Sequence, residues 1–354
     1  MKRILITGGC GFIGSHLAIA LARSGQWNVV CFDNLLRRGS ELLRWRVLDA
    51  GCAFAHGDIR NPEDLERLPG DFDALVECSA EPSVLVGTDS RDAPYLVRNN
   101  LNGALHCFEF ARQRRCGVLF LSTSRIYPYS YVGSARFREE ATRFVYDDCL
   151  PGISSEGVAV ECPLQGARSL YGATKLAAEY VLQEYALNYH LPALIDRCGV
   201  IAGPWQFGKA DQGVFSFWVA AHHYARPLRY IGFGGRGKQV RDLLHVDDLV
   251  ALLCKQLAAL SSFRGEVFNA GGGPGISLSL CEATEICREV TGNRVRIDSV
   301  LENRPGDLCW FITDNGRTCG TFGWQPVKSP REILADIHDW LRCDGGQVGR
   351  ILNA

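Results

Sequence analysis

A chain of 354 residues, 47% hydrophobic and 22% charged, has room for one large domain and a smaller lobe and the make-up of an ordinary globular protein. Its 38 Lys and Arg nearly balance 39 Asp and Glu, which leaves no electrostatic footprint for nucleic acid or an acidic membrane. Fifteen cysteines, odd in number, without CxxC pairs or matching histidines, argue against a zinc site and a disulfide framework. They read as small thiols in a reducing compartment, so the expected location is the cytoplasm and no metal is expected. No run of 18 apolar residues is present to span a membrane, and the apolar stretch after Met1 is too short for a signal peptide.

The first elements read as strand, glycine turn, helix, strand, acid. Ile4-Leu5-Ile6 is the apolar run of a strand buried on both faces. Gly8, Gly11 and Gly14 follow, and then a helix expected to bury Leu17, Ala20 and Leu21 and to close near Gly25. The second strand, NVVCFD, ends on Asp33. This grammar suits a pyrophosphate, because glycines admit the anion to the backbone and a helix N-terminus offers unpaired N–H groups. Asp33 lies where a carboxylate accepts hydrogen bonds from a ribose 2′,3′-diol and repels a 2′-phosphate, so NAD is expected rather than NADP.

The βα rhythm continues through 54–60, 72–82 and a helix placing Leu101, Leu105, Phe108 and Ala111 on one face. A strand over 117–128 ends on the hydroxyls of LSTS, and another lies at 193–204. Alternating strands and helices predict an α/β fold: a Rossmann-type doubly wound parallel sheet with a smaller C-terminal α/β lobe for the substrate. The expected dinucleotide-binding domain is 1–180, joined by parts of 193–204 and 239–260, and the smaller, partly discontinuous lobe is 181–354. In LYGATKL, Tyr171 starts a helical pattern in which Leu176, Ala177, Tyr180 and Val181 can pack inward, and Lys175 falls one turn on, on the tyrosine's face. Beside a nicotinamide, the lysine cation favours phenolate at Tyr171, which can then take the proton of a substrate hydroxyl as the carbon's hydride leaves. A hydroxyl partner is available in LSTS.

Together TGGCGFIGS, Asp33, STS, YGATK, GKQVRD and RPGD resemble the extended short-chain dehydrogenase/reductase superfamily, the NAD-dependent nucleotide-sugar epimerases and dehydratases. FDNLLRRG, HGDIRNPED, Asp211-Gln212-Gly213 and GKQVRDLLHVDDL bring the likeness nearest to the CDP-paratose (CDP-tyvelose) 2-epimerases, over nearly the whole chain. The resemblance implies Tyr171 as base, Lys175 as cation and ribose ligand, and Thr123 as hydroxyl partner, four residues before Tyr127. It implies cofactor contacts at Gly8, Gly11, Phe12, Ile13, Gly14, Asp33, Asn34, Asp58, Ile59, Ser79, Ala80, Asn100 and Ser122, with Arg197, Cys198 and Val200 approaching the nicotinamide. Ser124, Arg125, Gln206, Gln212, Arg241 and Arg304 are its substrate candidates. The two arginines Arg241 and Arg304 resemble those that hold a nucleotide diphosphate; surface salt bridges with Asp242 and Asp307 are the other reading. Asp247 reads as a helix N-cap.

The 4,6-dehydratases carry an Asp-Glu pair after the hydroxyl, whereas here Ser124-Arg125 follows, and arginine is no general base. That favours redox-neutral epimerisation with tightly bound, regenerated NAD. Two departures stand out: Cys78-Ser79-Ala80-Glu81-Pro82 replaces the family's His-x-Ala pattern, and Tyr127-Pro128 replaces Tyr-Gly. Glu81 either caps its own loop or faces the sugar as acid or base, which would return dehydration as an alternative, beside epimerisation at C4 in place of C2. A third reading is a silent NAD-binding scaffold. A nucleotide sugar (CDP- or UDP-linked) is the expected partner. Helices at 100–114 and 172–188 resemble those that pair in homodimers.

Overall fold

The computed structural model describes residues 1–83, 92–208 and 212–352. The chain forms two compact units, Met1–Ile126 with Ser169–Arg197 and Val250–Phe268, and Tyr127–Arg168 with Cys198–Leu249 and Asn269–Ala354.

The first unit is organised by strands β1 (Lys2–Thr7), β2 (Trp27–Asp33), β3 (Ala53–His56), β4 (Ala74–Glu77), β5 (Gly117–Thr123), β6 (Ala193–Cys198) and β7 (Arg264–Ala270). Their order in the sheet is β3-β2-β1-β4-β5-β6-β7, outward in both directions from β1, the doubly wound order that opens a crevice where the chain switches direction. The ladders joining β3, β2, β1, β4 and β5 are parallel. Ile4, Leu5, Ile6, Leu75, Val76, Leu119 and Phe120 are fully buried, as a sheet covered on both faces requires. Each such aliphatic or aromatic side chain contributes about 1.5–3 kcal/mol by leaving water.

The helices that matter for the site are α1 (Phe12–Arg23), α2 (Gly103–Arg114), α3 (Leu170–Asn188) and α4 (Val246–Ala259). Ala20 of α1 is half-buried, while Leu17, Ala18, Ile19 and Leu21 go inward. On α2 the covered residues include Ala104, Cys107, Phe108 and Ala111, with Leu105 only half-buried. The α3 face differs from the expected one: Tyr180 is 52% exposed and Ala177 and Val181 are half-buried, whereas Tyr171, Lys175, Ala178, Glu179 and Leu182 are buried. Two charged residues occupy the inward stripe because each finds an opposite charge within the unit.

The second unit holds the hairpin of strands 137–139 and 144–146, that of 153–154 and 157–158, and a four-stranded sheet around Val240–His245. Among the described residues no helix is long and apolar enough to cross a membrane.

Candidate active site

The glycine turn is built on close approach. Gly8 has φ +64, and a Cβ there would lie 2.9 Å from the carbonyl carbon of Cys78; a Cβ on Gly14 would overlap the carbonyl oxygen of Gly8. Gly11 is the N-cap of α1 and has no side-chain cap, so the first N–H groups of α1 stay unclaimed by side chains. That cradle fits a pyrophosphate. Phe12 and Ile13, the first residues of α1, are half-buried.

Asp33, at the end of β2, accepts the Cys10 N–H (3.0 Å) on one oxygen and the Leu35 N–H (2.8 Å) on the other. It ties the glycine turn to the strand and keeps lone pairs for a further donor. Burial raises its carboxyl above the usual range, and the two backbone donors draw it back. Asn34 donates to Asp58 (3.0 Å), and Arg60 Nε reaches the same carboxylate at 2.9 Å. Burial alone would raise Asp58; the Arg60 and Asn34 contacts override it and hold the group at about 2. Ile59 beside it is buried.

Asn100 sits in a π-helical turn, Arg98–Asn102, immediately before α2. Its amide grips the backbone of Glu81 from both sides, accepting the N–H at 2.8 Å and donating to the carbonyl at 2.9 Å. The exit of β4 is thereby fixed, with Ser79 and Ala80 half-buried. Glu81 Oε1 accepts the Ser83 N–H at 3.2 Å, an Asx-like cap of its own loop.

Thr123 ends β5, is 7% exposed, and accepts the Arg125 N–H at 3.2 Å, leaving its own hydroxyl proton to donate. Ser124 and Arg125 follow in a short 3₁₀ turn, both half-buried. Ser169 caps α3 by accepting the Gly172 N–H at 3.2 Å, placing Tyr171 in the first turn. A Cβ at position 172 would overlap the Arg125 carbonyl oxygen, so the glycine after the tyrosine lets α3 pack on the turn following Thr123. Tyr171 is 8% and Lys175 1% exposed.

Beneath this pair lies an ionic layer that sequence reasoning missed. Lys175 Nζ is 3.3 Å from Glu77 Oε2 and 4.0 Å from the centroid of the Phe120 ring. One turn further, Glu179 pairs with Arg197 at 2.9 Å and accepts a hydrogen bond from Ser122. Ser122 and Arg197 thus spend polar groups on Glu179. The sole hint in the sequence was a carboxylate closing the otherwise apolar run Ala74-Leu75-Val76.

The remaining candidates lie in the second unit. Cys198 is buried and Val200, half-buried, pairs with Leu243. Gln206 is buried and uses both ends of its amide internally, donating to the Ile201 carbonyl (2.8 Å) and accepting from Ser216 (2.5 Å). Gln212 precedes the N-cap of helix 214–223 and is half-buried; Asp211 lies outside the described residues. Arg241 pairs with Asp307 at 2.7 Å and also donates to the Leu308 carbonyl, while Asp242 is buried and accepts the Gly273 N–H. Arg304 is half-buried in the loop before Asp307. Asp247 is not the N-cap of α4: it lies in the first turn, and the His245 ring accepts its N–H at 3.1 Å. The helix starts one residue earlier than the acid, so the imidazole takes the capping role.

Sheet order, glycine cradle and acid at the end of β2 define a dinucleotide-binding enzyme of the doubly wound class. The family model for the NAD dependent epimerase/dehydratase family matches residues 4–271, and the chain belongs to that family. It is 30% identical to the CDP-paratose 2-epimerase of Salmonella typhi over 96% of this chain and 98% of that protein. It is 25% identical to a dTDP-glucose 4,6-dehydratase of Salmonella typhimurium, over 99% and 95%. Among solved structures it resembles the UDP-glucuronic acid 4-epimerase of Bacillus cereus, determined with UDP-glucuronic acid and NAD (TM-score 0.79, 24% identity, 97% of this chain and 99% of that one). The protein is therefore an NAD-dependent enzyme of the nucleotide-sugar epimerase/dehydratase kind.

Proposed function

We propose that the chain is a redox-neutral nucleotide-sugar epimerase, acting on a CDP-sugar in the manner of a 2-epimerase. The observation that carries this reading is the turn after Thr123, which presents Ser124 and Arg125 and no carboxylate pair to expel a hydroxyl. The Glu81 carboxylate, the substitute the sequence offers, is engaged by its own loop.

Bound NAD supplies the hydride acceptor and later the donor. The Gly8–Gly14 turn and the start of α1 would hold its pyrophosphate, Asp33 and Asn34 would serve the adenosine ribose, and Asp58 and Ile59 the adenine. Ser79, Ala80 and Asn100 line the cofactor cleft, where Lys175 serves the second ribose. Tyr171 takes the sugar hydroxyl proton, the Thr123 hydroxyl donates to the same oxygen, and the Lys175 cation lowers the cost of the phenolate. The oxidised sugar turns over, and Tyr171 returns the proton once the carbon is reduced on its other face. Arg241 and Arg304 are the proposed diphosphate ligands, with Asp307 as the group Arg241 shares. Tyr180 and Leu187, 52% and 67% exposed on α3, support pairing of two copies along this helix.

Proton NMR in D₂O with CDP- and UDP-sugars and no added NAD tests the reading. An epimer free of deuterium supports it and identifies the carbon. A dehydrated or deuterated product overturns it in favour of dehydration through Glu81.

A further inference from the structure

Glu77 closes β4 and is fully buried. By register it stands between Thr7 of β1 and Phe120 of β5, and in a parallel sheet residues so paired share a face. Lys175 comes down on that face from α3, its ammonium 3.3 Å from Glu77 Oε2 and 4.0 Å from the Phe120 ring centroid. The lysine is 1% exposed, so water does little to stabilise its charge.

The other charges nearby are committed elsewhere. Glu179, four residues along α3, is held by Arg197 and Ser122. From α2 the group facing Glu77 is the Cys107 thiol, which burial and then the Glu77 charge push far up, so it stays neutral. Cys78, next in the chain, is likewise raised by burial and then by Glu77. The Glu77 carboxylate itself is lifted by burial and drawn back by Lys175 and the Ser79 N–H, while its Oε1 has no hydrogen-bond partner. The two opposite charges thus face each other with both side chains out of water.

We propose that Glu77 is the counter-ion of the Lys175 ammonium, a positioning residue that keeps the lysine charged and docked against β4 and β5 beside Tyr171. The proposal rests on the reading of Tyr171 and Lys175 as the catalytic pair. A neutral lysine gives no electrostatic support to a phenolate, so Glu77 governs the alkaline edge of turnover without touching the sugar.

The test uses E77Q, K175M, the double variant and E77D, first by urea unfolding without added nucleotide between pH 6 and 10. In E77Q the buried ammonium is uncompensated, so the folded chain releases that proton at lower pH than the unfolded chain does. The unfolded state then binds more protons, and the stability deficit of E77Q against wild type shrinks as pH rises. That recovery is absent on a K175M background. The double variant, with both charges gone, is expected to be more stable than either single variant, a comparison that holds even if E77Q alone does not fold. In turnover, the alkaline edge of E77Q moves down by about one pH unit or more, and E77D restores part of it. A pH-independent deficit, additive losses in the double variant, or an unmoved edge overturns the proposal. Full activity of K175M instead refutes the catalytic reading, and the unfolding experiment then still decides whether Glu77 is the counter-ion.

Discussion

Asp196 on β6 and Gln256 on α4 form a buried pair in which each side chain has one satisfied and one idle polar atom. Gln256 Nε2 donates to Asp196 Oδ1 at 2.7 Å, while Asp196 Oδ2 and Gln256 Oε1 find no partner among the described residues. A proton on Oδ2 would join the two idle atoms and close a carboxylic acid–amide ring. Burial, opposed only by the Gln256 bond, raises the carboxyl from 3.8 to about 7. Between those values the folded state binds the extra proton, so stability falls as pH rises through the window. The difference corresponds to about 4 kcal/mol above pH 7, at ~1.4 kcal/mol per pH unit. Asn at 196 reproduces the ring without a titrating group. Urea unfolding followed by tryptophan fluorescence should find D196N more stable than wild type by about 1–2 kcal/mol at pH 5 and by about 4 kcal/mol at pH 8. Parallel decline of the two proteins between pH 5 and 8 would refute the reasoning.

Replacing Tyr171 by Phe should lower turnover by about 10²–10⁴-fold, the usual worth of general acid–base catalysis, with NAD content unchanged on release by heat denaturation. E179Q leaves the Arg197 cation buried without its counter-charge, and a loss of about 3–5 kcal/mol is expected in urea unfolding. G172A should impair turnover more than urea stability, because the added Cβ pushes the first turn of α3, which carries Tyr171, off the Arg125 carbonyl.

The parts of the site legible in the sequence are those written as local spacing. The glycine turn, Asp33, the hydroxyls of β5 and the tyrosine–lysine turn each reveal themselves within a few residues, because one βα unit or one helical turn sets their geometry. What stayed hidden depends on which strand lies beside which. Glu77 and Arg197 meet α3 from strands about a hundred positions and about twenty positions away in sequence, distances over which spacing carries no signal. The rule that inward stripes are apolar pointed to Tyr180, yet Glu179 takes the place because Arg197 waits there. Gln206 reads from the sequence as a sugar or a loop contact, and spacing offers no way to see that Ile201 and Ser216 occupy its amide.

The π-turn at Arg98–Asn102 carries a lesson for the history and redesign of this chain. Such a turn is what a helix becomes when it accommodates one surplus residue without unwinding. Removing a single residue there would narrow the turn to regular winding while the helical faces on either side kept their places. Asn100 would swing off the Glu81 backbone, and the β4 exit would lose its fastening while the helix itself grew more regular. At this point a regular helix and the Asn100 clasp on the β4 exit are competing ends, and the structure has the irregular turn.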